Sequence, residues 1–301
     1  MDKLLTFLEQ RFKKPKLWSY IRDFLRRCKE DNVSATGAQL AYYLVLAFFP
    51  FLIFLLTLMP LTPLADQDIL ASLLQVMPES AADIVGPVVE DVLNNRSGTL
   101  LSTALILTLW SASSGMNNLL SAMDIAFDVD NKRNFIVKRL ISLLFTLVLV
   151  LMIFITLASQ VFGEVIVSYL SSTALSSGVV EGTWSLVRNL IPFVVMVLGF
   201  SLLYRYGPGF PKEEILSFKE ALIGGVVAAA GWTLISQGFA FYVSNFANYS
   251  NTYGSIGGLI ILLVWLYISS LVIMLGAEAT ASYISVFKGG VTEQNETIAP
   301  A

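Results

Sequence analysis

The sequence predicts an all-α polytopic membrane protein with six transmembrane helices, an amphipathic N-terminal interfacial helix and a two-helix outer cap between spans one and two. Three observations predict it. Of the 301 residues, 55% are hydrophobic and only 14% are charged, against about 25% charged in ordinary soluble domains. The apolar residues come in long unbroken runs, and the mean hydropathy is +0.71. Almost all lysines and arginines fall on one side of those runs.

The first element is basic. Residues 1–30 hold nine lysines and arginines and no apolar core of the kind a cleavable signal peptide needs. Leu17, Trp18, Ile21, Phe24, Leu25 and Cys28 repeat at helical spacing, with Lys16, Arg22, Arg26, Arg27 and Lys29 on the other faces. Such a helix lies in the membrane interface, either binding anionic lipid headgroups or serving only as a topological anchor. A span needs about 20 mostly apolar residues, and six stretches qualify: 40–60, 98–118, 138–162, 184–204, 218–242 and 256–284.

Between the first two lies an amphipathic region, 64–94, read as two short helices forming the outer cap. Ile69, Leu70, Leu73 and Leu74 make one stripe; Ile84, Val85, Val88, Val89 and Val92 make the other. Pro78 separates them, Ser80 and Asp83 resemble a capping box, and Pro87 bends the second. The chain thus divides into a cytoplasmic or interfacial segment, 1–32, a six-helix transmembrane domain, 33–287, and a polar tail, 288–301, expected to be disordered.

Charge predicts orientation. Seventeen of the 19 basic residues lie before the first span, in the 119–139 and 205–219 loops, or at Lys288, and only Arg96 and Arg188 lie on the other side. The positive-inside rule places the N-terminus, those two loops and the C-terminus in the cytoplasm. An even number of spans agrees with that placement.

Composition also excludes chemistry. With no histidine there is no His base, HExxH zinc site or Ser-His-Asp triad. The lone Cys28 excludes a disulfide framework and a Cys-rich metal site. A net charge of −3 offers no global basic surface for nucleic acid, and no P-loop sequence for an ATP-driven pump occurs. Asp124, Asp128 and Asp130 lack the glycine and distal glutamate of a calcium loop and read as a solvated loop. No enzyme activity, cofactor or metal is expected.

Several short motifs remain. Leu40-Ala41-Tyr42-Tyr43 and Phe49-Pro50 open the first span; Trp110-Ser111-Ala112-Ser113-Ser114-Gly115, then Asn117-Asn118, close the second. Tyr204-Arg205-Tyr206 with Pro208 follows the fourth, and Tyr253-Gly254-Ser255-Ile256-Gly257-Gly258, Trp265-Leu266-Tyr267 and Gly276-Ala277-Glu278 mark the last. In this order, over residues 20–287, they resemble the YihY/virulence factor BrkB family of bacterial inner-membrane proteins. Members of that family were once described as the tRNA-processing ribonuclease BN, an assignment later treated as mistaken. The resemblance implies the fold, with transport and envelope-lipid roles as competing functions.

The same residues supply the candidate substrate or cavity-lining positions: Gln39, Tyr42, Tyr43, Pro50, Trp110, Ser111, Ser113, Ser114, Asn117, Tyr204, Arg205, Tyr253, Trp265, Tyr267 and Glu278. The serines and Gly115 permit either close helix packing or a polar notch in a locally broken helix. Glu278 stands in an apolar run, where an unpaired carboxylate costs at least a few kcal/mol. Its expected partner is Arg205 or a basic residue of the 119–139 loop, in a structural ion pair; the alternative is a proton- or cation-coupled site or a headgroup contact. Gly224, Gly225, Gly231, Gly254, Gly257 and Gly258 suit tight helix contacts. The uncharged loop from Asn245 to Gly258 reads as a gate or as an interfacial aromatic belt.

Three function classes follow. The preferred one is a transporter or lipid-translocating protein with a cavity between spans one, two, four and six, because sparse intramembrane charge disfavours a hydrophilic ion path. The second is a non-transporting scaffold that hands lipid to a periplasmic partner through the 64–94 cap. The third, a membrane-bound ribonuclease, lacks both catalytic groups and an RNA surface.

Overall fold

The computed structural model describes residues 15–58, 98–171, 177–211, 215–246 and 255–288. Those residues form seven α-helices and no strand: α1 Pro15–Glu30, α2 Val33–Leu58, α3 Gly98–Ala126, α4 Phe135–Ser171, α5 Ser177–Tyr206, α6 Phe218–Phe246 and α7 Ser255–Lys288. Helices α2–α7 overlap the six apolar stretches, and α1 is the basic amphipathic element. Among the described residues three segments are long and apolar enough to cross a membrane: Phe135–Thr156, Phe218–Val243 and Gly257–Lys288. The 64–94 cap, Tyr253, Gly254 and the tail after Lys288 lie outside the described residues.

Each of α2–α7 packs on its neighbours in chain order, and α7 returns to pack on α2 and touch α3, closing a bundle. The exposed apolar side chains run in stripes down its outside. Leu140, Leu144, Leu147, Leu151 and Ile155 form one on α4, and Leu190, Val194 and Leu198 another on α5. Steps of three and four keep each stripe on one helix face. Apolar side chains facing out in this number suit a lipid surround and not water.

Inside, the helices approach through small residues, as membrane bundles do. A Cβ at Gly115 of α3 would stand 2.7 Å from the Ala47 Cβ of α2, and one at Gly37 of α2 would stand 2.8 Å from Leu271 of α7. Several buried hydroxyls turn back onto their own helices: Thr146 donates to the Ser142 carbonyl at 2.7 Å, Ser201 to Val197 at 2.6 Å and Ser270 to Leu266 at 2.8 Å. They therefore need no partner across the bundle. Pro50 lies inside α2 and does not end it.

One end of the bundle gathers α1, the α3–α4 and α5–α6 connections and the C-terminus of α7. Asn32, at φ 46, turns α1 into α2. α3 stops where Asp128, at φ 53, takes the left-handed position usually given to glycine, while Val129 N–H donates to the Asp124 carbonyl at 2.8 Å. Asn134 Oδ1 caps α4 by accepting from Val137 N–H at 2.9 Å. Ser217 N–H donates to Glu220 Oε2 at 2.6 Å at the start of α6, one half of a capping box. Tertiary contacts join these pieces: Arg27 pairs with Asp128 at 2.8 Å, Lys288 pairs with Glu220, and Gly209 N–H donates to Asp124 Oδ1 at 2.7 Å. Asp124 also accepts from Asn131 Nδ2 at 2.7 Å. Of the three aspartates expected to stand free in a solvated loop, two are thus clamps, because the loop folds against α1 and the α5–α6 connection.

Candidate functional site

The sequence candidates do not converge on one cavity; they sort into four places in the bundle. A groove between α2 and α3 holds Gln39 and Tyr43. It is lined by Thr36, Gln39, Leu40, Tyr43, Asn118, Ser121, Ala122 and Ile125, and offers about 50 Å³ of space. Gln39 and Ser121 are exposed, while Thr36, Tyr43 and Asn118 are half-buried. Tyr42 faces outward with its ring edge-on to Tyr43, 5.4 Å between centroids. The groove thus opens sideways from the bundle, with hydroxyl and amide groups and no charge.

The second place is the α3–α4 seam, where α3 runs unbroken through the serine motif, so the locally broken helix is not found there. Ser113 is buried and donates to the Trp110 carbonyl at 2.8 Å, which makes it a packing residue. Ser111 faces outward. Asn117 accepts from Ser142 at 3.2 Å. Arg139 of α4 stacks over Trp110 at 4.0 Å, donates to Ser114 Oγ at 3.3 Å and also reaches the Trp110 carbonyl. Trp110 is 49% exposed, so this is an interfacial cation–π contact with the indole outside and the arginine folded back on it.

Third, on the outer flanks of α7, the Tyr267 hydroxyl meets Ser34 Oγ at 2.9 Å. Trp265 lies edge-on to Trp232 at 5.9 Å, and the Trp232 indole donates to Ser269 at 3.2 Å. These contacts tie α7 to α2 and α6.

The fourth place is the interior face of α7. Tyr204 is fully buried and donates to the Ile273 carbonyl at 2.8 Å. Gly224 and Gly276 let α6 and α7 meet there at backbone contact: a Cβ on Gly276 would lie 2.8 Å from the Ala228 Cβ and 3.0 Å from the Gly224 carbonyl. Gly258, by contrast, has open space around it and serves no tight contact. Glu278 is 0% exposed, and neither carboxyl oxygen has a hydrogen-bond partner among the described residues.

The expected Glu278–Arg205 pair does not form. Arg205 lies over the Tyr206 ring at 5.1 Å, and its buried Nε has no hydrogen-bond partner among the described residues. The groups that act on Glu278 are Asp31 foremost, then Arg27 and Asp128. α1 brings them there by packing along α7, with Tyr20 donating to the Ala279 carbonyl at 3.2 Å. Burial pushes the Asp31 carboxyl above its ordinary range, assisted by the charge of Asp128. Burial and the nearby Glu278 push the Cys28 thiol up to about 11. Asp23 moves the other way: burial opposes the shift, but hydrogen bonds and charge from Arg26 and Arg27 hold it below the usual carboxylate range.

Sequence reasoning missed Asp31, Arg133 and Arg139. Arg133 donates to the Gly207 carbonyl at 2.9 Å and to Pro208 at 2.8 Å, closing the open end of α5. No spacing marks these residues, because their partners lie on other helices. Among the described residues no three acidic, cysteine or histidine side chains gather to hold a metal ion.

The family model for virulence factor BrkB matches residues 24–297. The chain is 40% identical to YfkH of Bacillus subtilis, named as ribonuclease-like, over 87% of this chain and 94% of that one. It is 28% identical to a UPF0761 membrane protein of Alteromonas mediterranea, over 97% of this chain and 96% of the relative. A UPF0761 membrane protein of Pseudoalteromonas atlantica is also 28% identical, over 94% and 91% of the two chains. No solved structure matches. A bundle with an apolar exterior, small-residue seams and this match over most of its length is a membrane protein, and the chain belongs to the virulence factor BrkB family.

Proposed function

We propose that this protein is a six-span inner-membrane protein of the bacterial envelope, with both termini cytoplasmic, that binds and translocates lipid. The observation that carries the reading is the α2–α3 groove. It opens between α2 and α3 at the basic end of the bundle, and Thr36, Gln39, Tyr43, Asn118 and Ser121 supply hydroxyl and amide groups at its mouth. A polar notch on a lipid-facing wall suits an amphipathic ligand whose headgroup enters from the bilayer while its chains stay on the apolar flank. Basic α1 adds an attraction for anionic headgroups at the same end of the bundle.

The ribonuclease-like name belongs to the Bacillus relative. This chain has no histidine for the acid–base work of RNA cleavage and no clustered acidic metal site among the described residues.

The test uses the purified protein in liposomes of native lipid. A photoreactive residue at Gln39 or Ser121 is expected to capture one lipid class above its bulk share, whereas one at Leu151 samples the bulk. Fluorescent phospholipid should cross leaflets faster than in empty liposomes, and Tyr43→Ala should slow it. Capture without translocation would favour a scaffold that hands lipid to a partner. Neither capture nor translocation would refute the reading, as would tRNA cleavage that follows the protein through purification and disappears on a point substitution in it.

A further inference from the structure

The interior carboxyl of α7 has no role in the groove. Glu278 is fully buried, both its oxygens are unpartnered, and one turn later the buried Ser282 hydroxyl is also unpartnered among the described residues. The charged and titratable groups around Glu278 come from three elements. α1 contributes Arg27 and Cys28, and its Tyr20 is bonded to the adjoining Ala279 carbonyl. The α1–α2 turn contributes Asp31, and the α3–α4 connection contributes Asp128. Glu30 adds its charge at Asp31.

Charge counting narrows what this pocket can hold. Arg27 is the cation that reaches it, yet Arg27 is already engaged by Asp23 at 3.1 Å and by Asp128 at 2.8 Å. Asp31 therefore acts on Glu278 across the α1–α7 contact as a second carboxyl, with only a share of one positive charge available to the two. A fully buried carboxylate beside a half-buried one is hard to keep ionised, since like-charge repulsion adds to the desolvation of Glu278. One added proton removes the repulsion, supplies the missing donor between two acceptors and leaves a single negative charge toward Arg27. A metal cation needs a larger set of oxygens than these two residues and one serine provide, and the described residues contain no three-ligand cluster.

We propose that Glu278 and Asp31 are the two halves of one proton-binding site, a carboxyl pair that holds a single proton between α7 and the α1–α2 turn. Loaded, one carboxyl donates its O–H to the other's carboxylate. On release the proton leaves through Asp31, which is half-buried and reaches solvent, and two carboxylates remain facing each other. The repulsion acts on the turn that carries Asn32 in its left-handed conformation, so loading is transmitted to the seat of α1 on α7. Burial displaces Asp31 upward while its interaction with Glu278 opposes that shift, so within the pair Asp31 is the half that ionises first. The site is separate from the α2–α3 groove, and its test needs no lipid activity.

The experiment is an infrared pH titration of the full-length protein in nanodiscs, following the C=O band of protonated carboxyls. It compares wild type, Glu278→Gln and Asp31→Asn, each in sodium chloride and in choline chloride. Wild type should keep a carboxyl band at pH values above about 5, where exposed aspartate and glutamate have ionised; Glu278→Gln should lose it. Asp31→Asn should keep the band but move its midpoint down by about one pH unit or more, because the like charge is gone. The alkylation rate of Cys28, corrected for thiolate fraction, should rise with pH in wild type and stay flat in Glu278→Gln as α1 loosens only in the former. A wild-type band that vanishes in the ordinary carboxylate range would overturn the proposal. So would a midpoint unmoved by Asp31→Asn, a measurement that decides the matter even if Glu278→Gln does not fold. A midpoint displaced by sodium against choline would also overturn it, in favour of a metal-cation site.

Discussion

Gly224→Ala tests whether the α6–α7 seam is as tight as it stands. An added Cβ would press on the Gly276 carbonyl and the Thr280 hydroxyl and lie 3.1 Å from Tyr204 Cδ2. Thr280 could turn away, but a main-chain carbonyl moves only if α7 moves. Overpacking of this kind costs about 1–3 kcal/mol, and a backbone obstacle belongs at the upper end. Against it stands the better helix propensity of alanine, worth about 1 kcal/mol. The net expectation is a loss of about 2 kcal/mol, read as a melting temperature lower by several degrees in one detergent. Gly231→Ala, whose Cβ meets only Val272 Cγ1 at 3.2 Å, should fall between. Gly258→Ala, with nothing within 4 Å, should be neutral or slightly stabilising. Adding Thr280→Ala to Gly224→Ala should recover part of the loss and not all of it, since the Gly276 carbonyl remains. A Gly224→Ala protein that melts as high as Gly258→Ala would refute the packing argument.

Three other outcomes are expected. Arg133→Ala leaves the α5 end carbonyls of Gly207 and Pro208 to water; it should cost about 1–2 kcal/mol in thermal unfolding, with Arg133→Lys intermediate, and no change would show that the guanidinium cap is idle. With its thiol raised from 9.0 to about 11, Cys28 should react with iodoacetamide about 100-fold more slowly at pH 8 than in unfolded protein, and Glu278→Gln should speed it. The folded state prefers this thiol protonated, so its contribution to stability is complete below pH 9 and is lost as pH rises toward 11; equal native and unfolded alkylation rates would contradict this. In a Cys28→Ser background, cysteines at Ser72, Ser177 and Asn248 should react with impermeant reagents from outside intact cells, and those at Ser217 and Thr292 should not; outside labelling at Thr292 would break the six-span topology.

The helices were legible in the sequence because a bilayer forces an unbroken apolar run onto any segment that crosses it. Residues 135–171 and 255–288 are therefore plain, and α1 is equally plain from its alternation of basic and apolar faces. The candidate site was legible in pieces. Glu278 was conspicuous as a charge in an apolar run, Gln39 stood out as a polar residue at a span end, and Tyr43 belonged to a motif that the α2–α3 groove partly explains. Gly224 and Gly276 were recognisable as packing residues by kind. The partners were not legible: Asp31 sits in a stretch that looks like any helix linker, and Arg139 resembles any interfacial arginine.

By itself, then, the sequence determined the class of protein, the order of the apolar helices among the described residues and the end of the bundle at which their basic charge collects. Each of those is a property of one segment and its solvent, and solvent preference is written residue by residue. Only the tertiary structure decided which helix lies beside which. It decided that Glu278 faces Asp31 and not Arg205, that Asp128 serves Arg27, and that the serines of α3 pack while Gln39 and Ser121 open a groove. Those outcomes depend on rotations of whole helices set by small-residue contacts such as Gly115 on Ala47 and Gly37 on Leu271. A rotation of one residue, about 100°, turns a buried carboxylate from one neighbour to another without altering any apolar run.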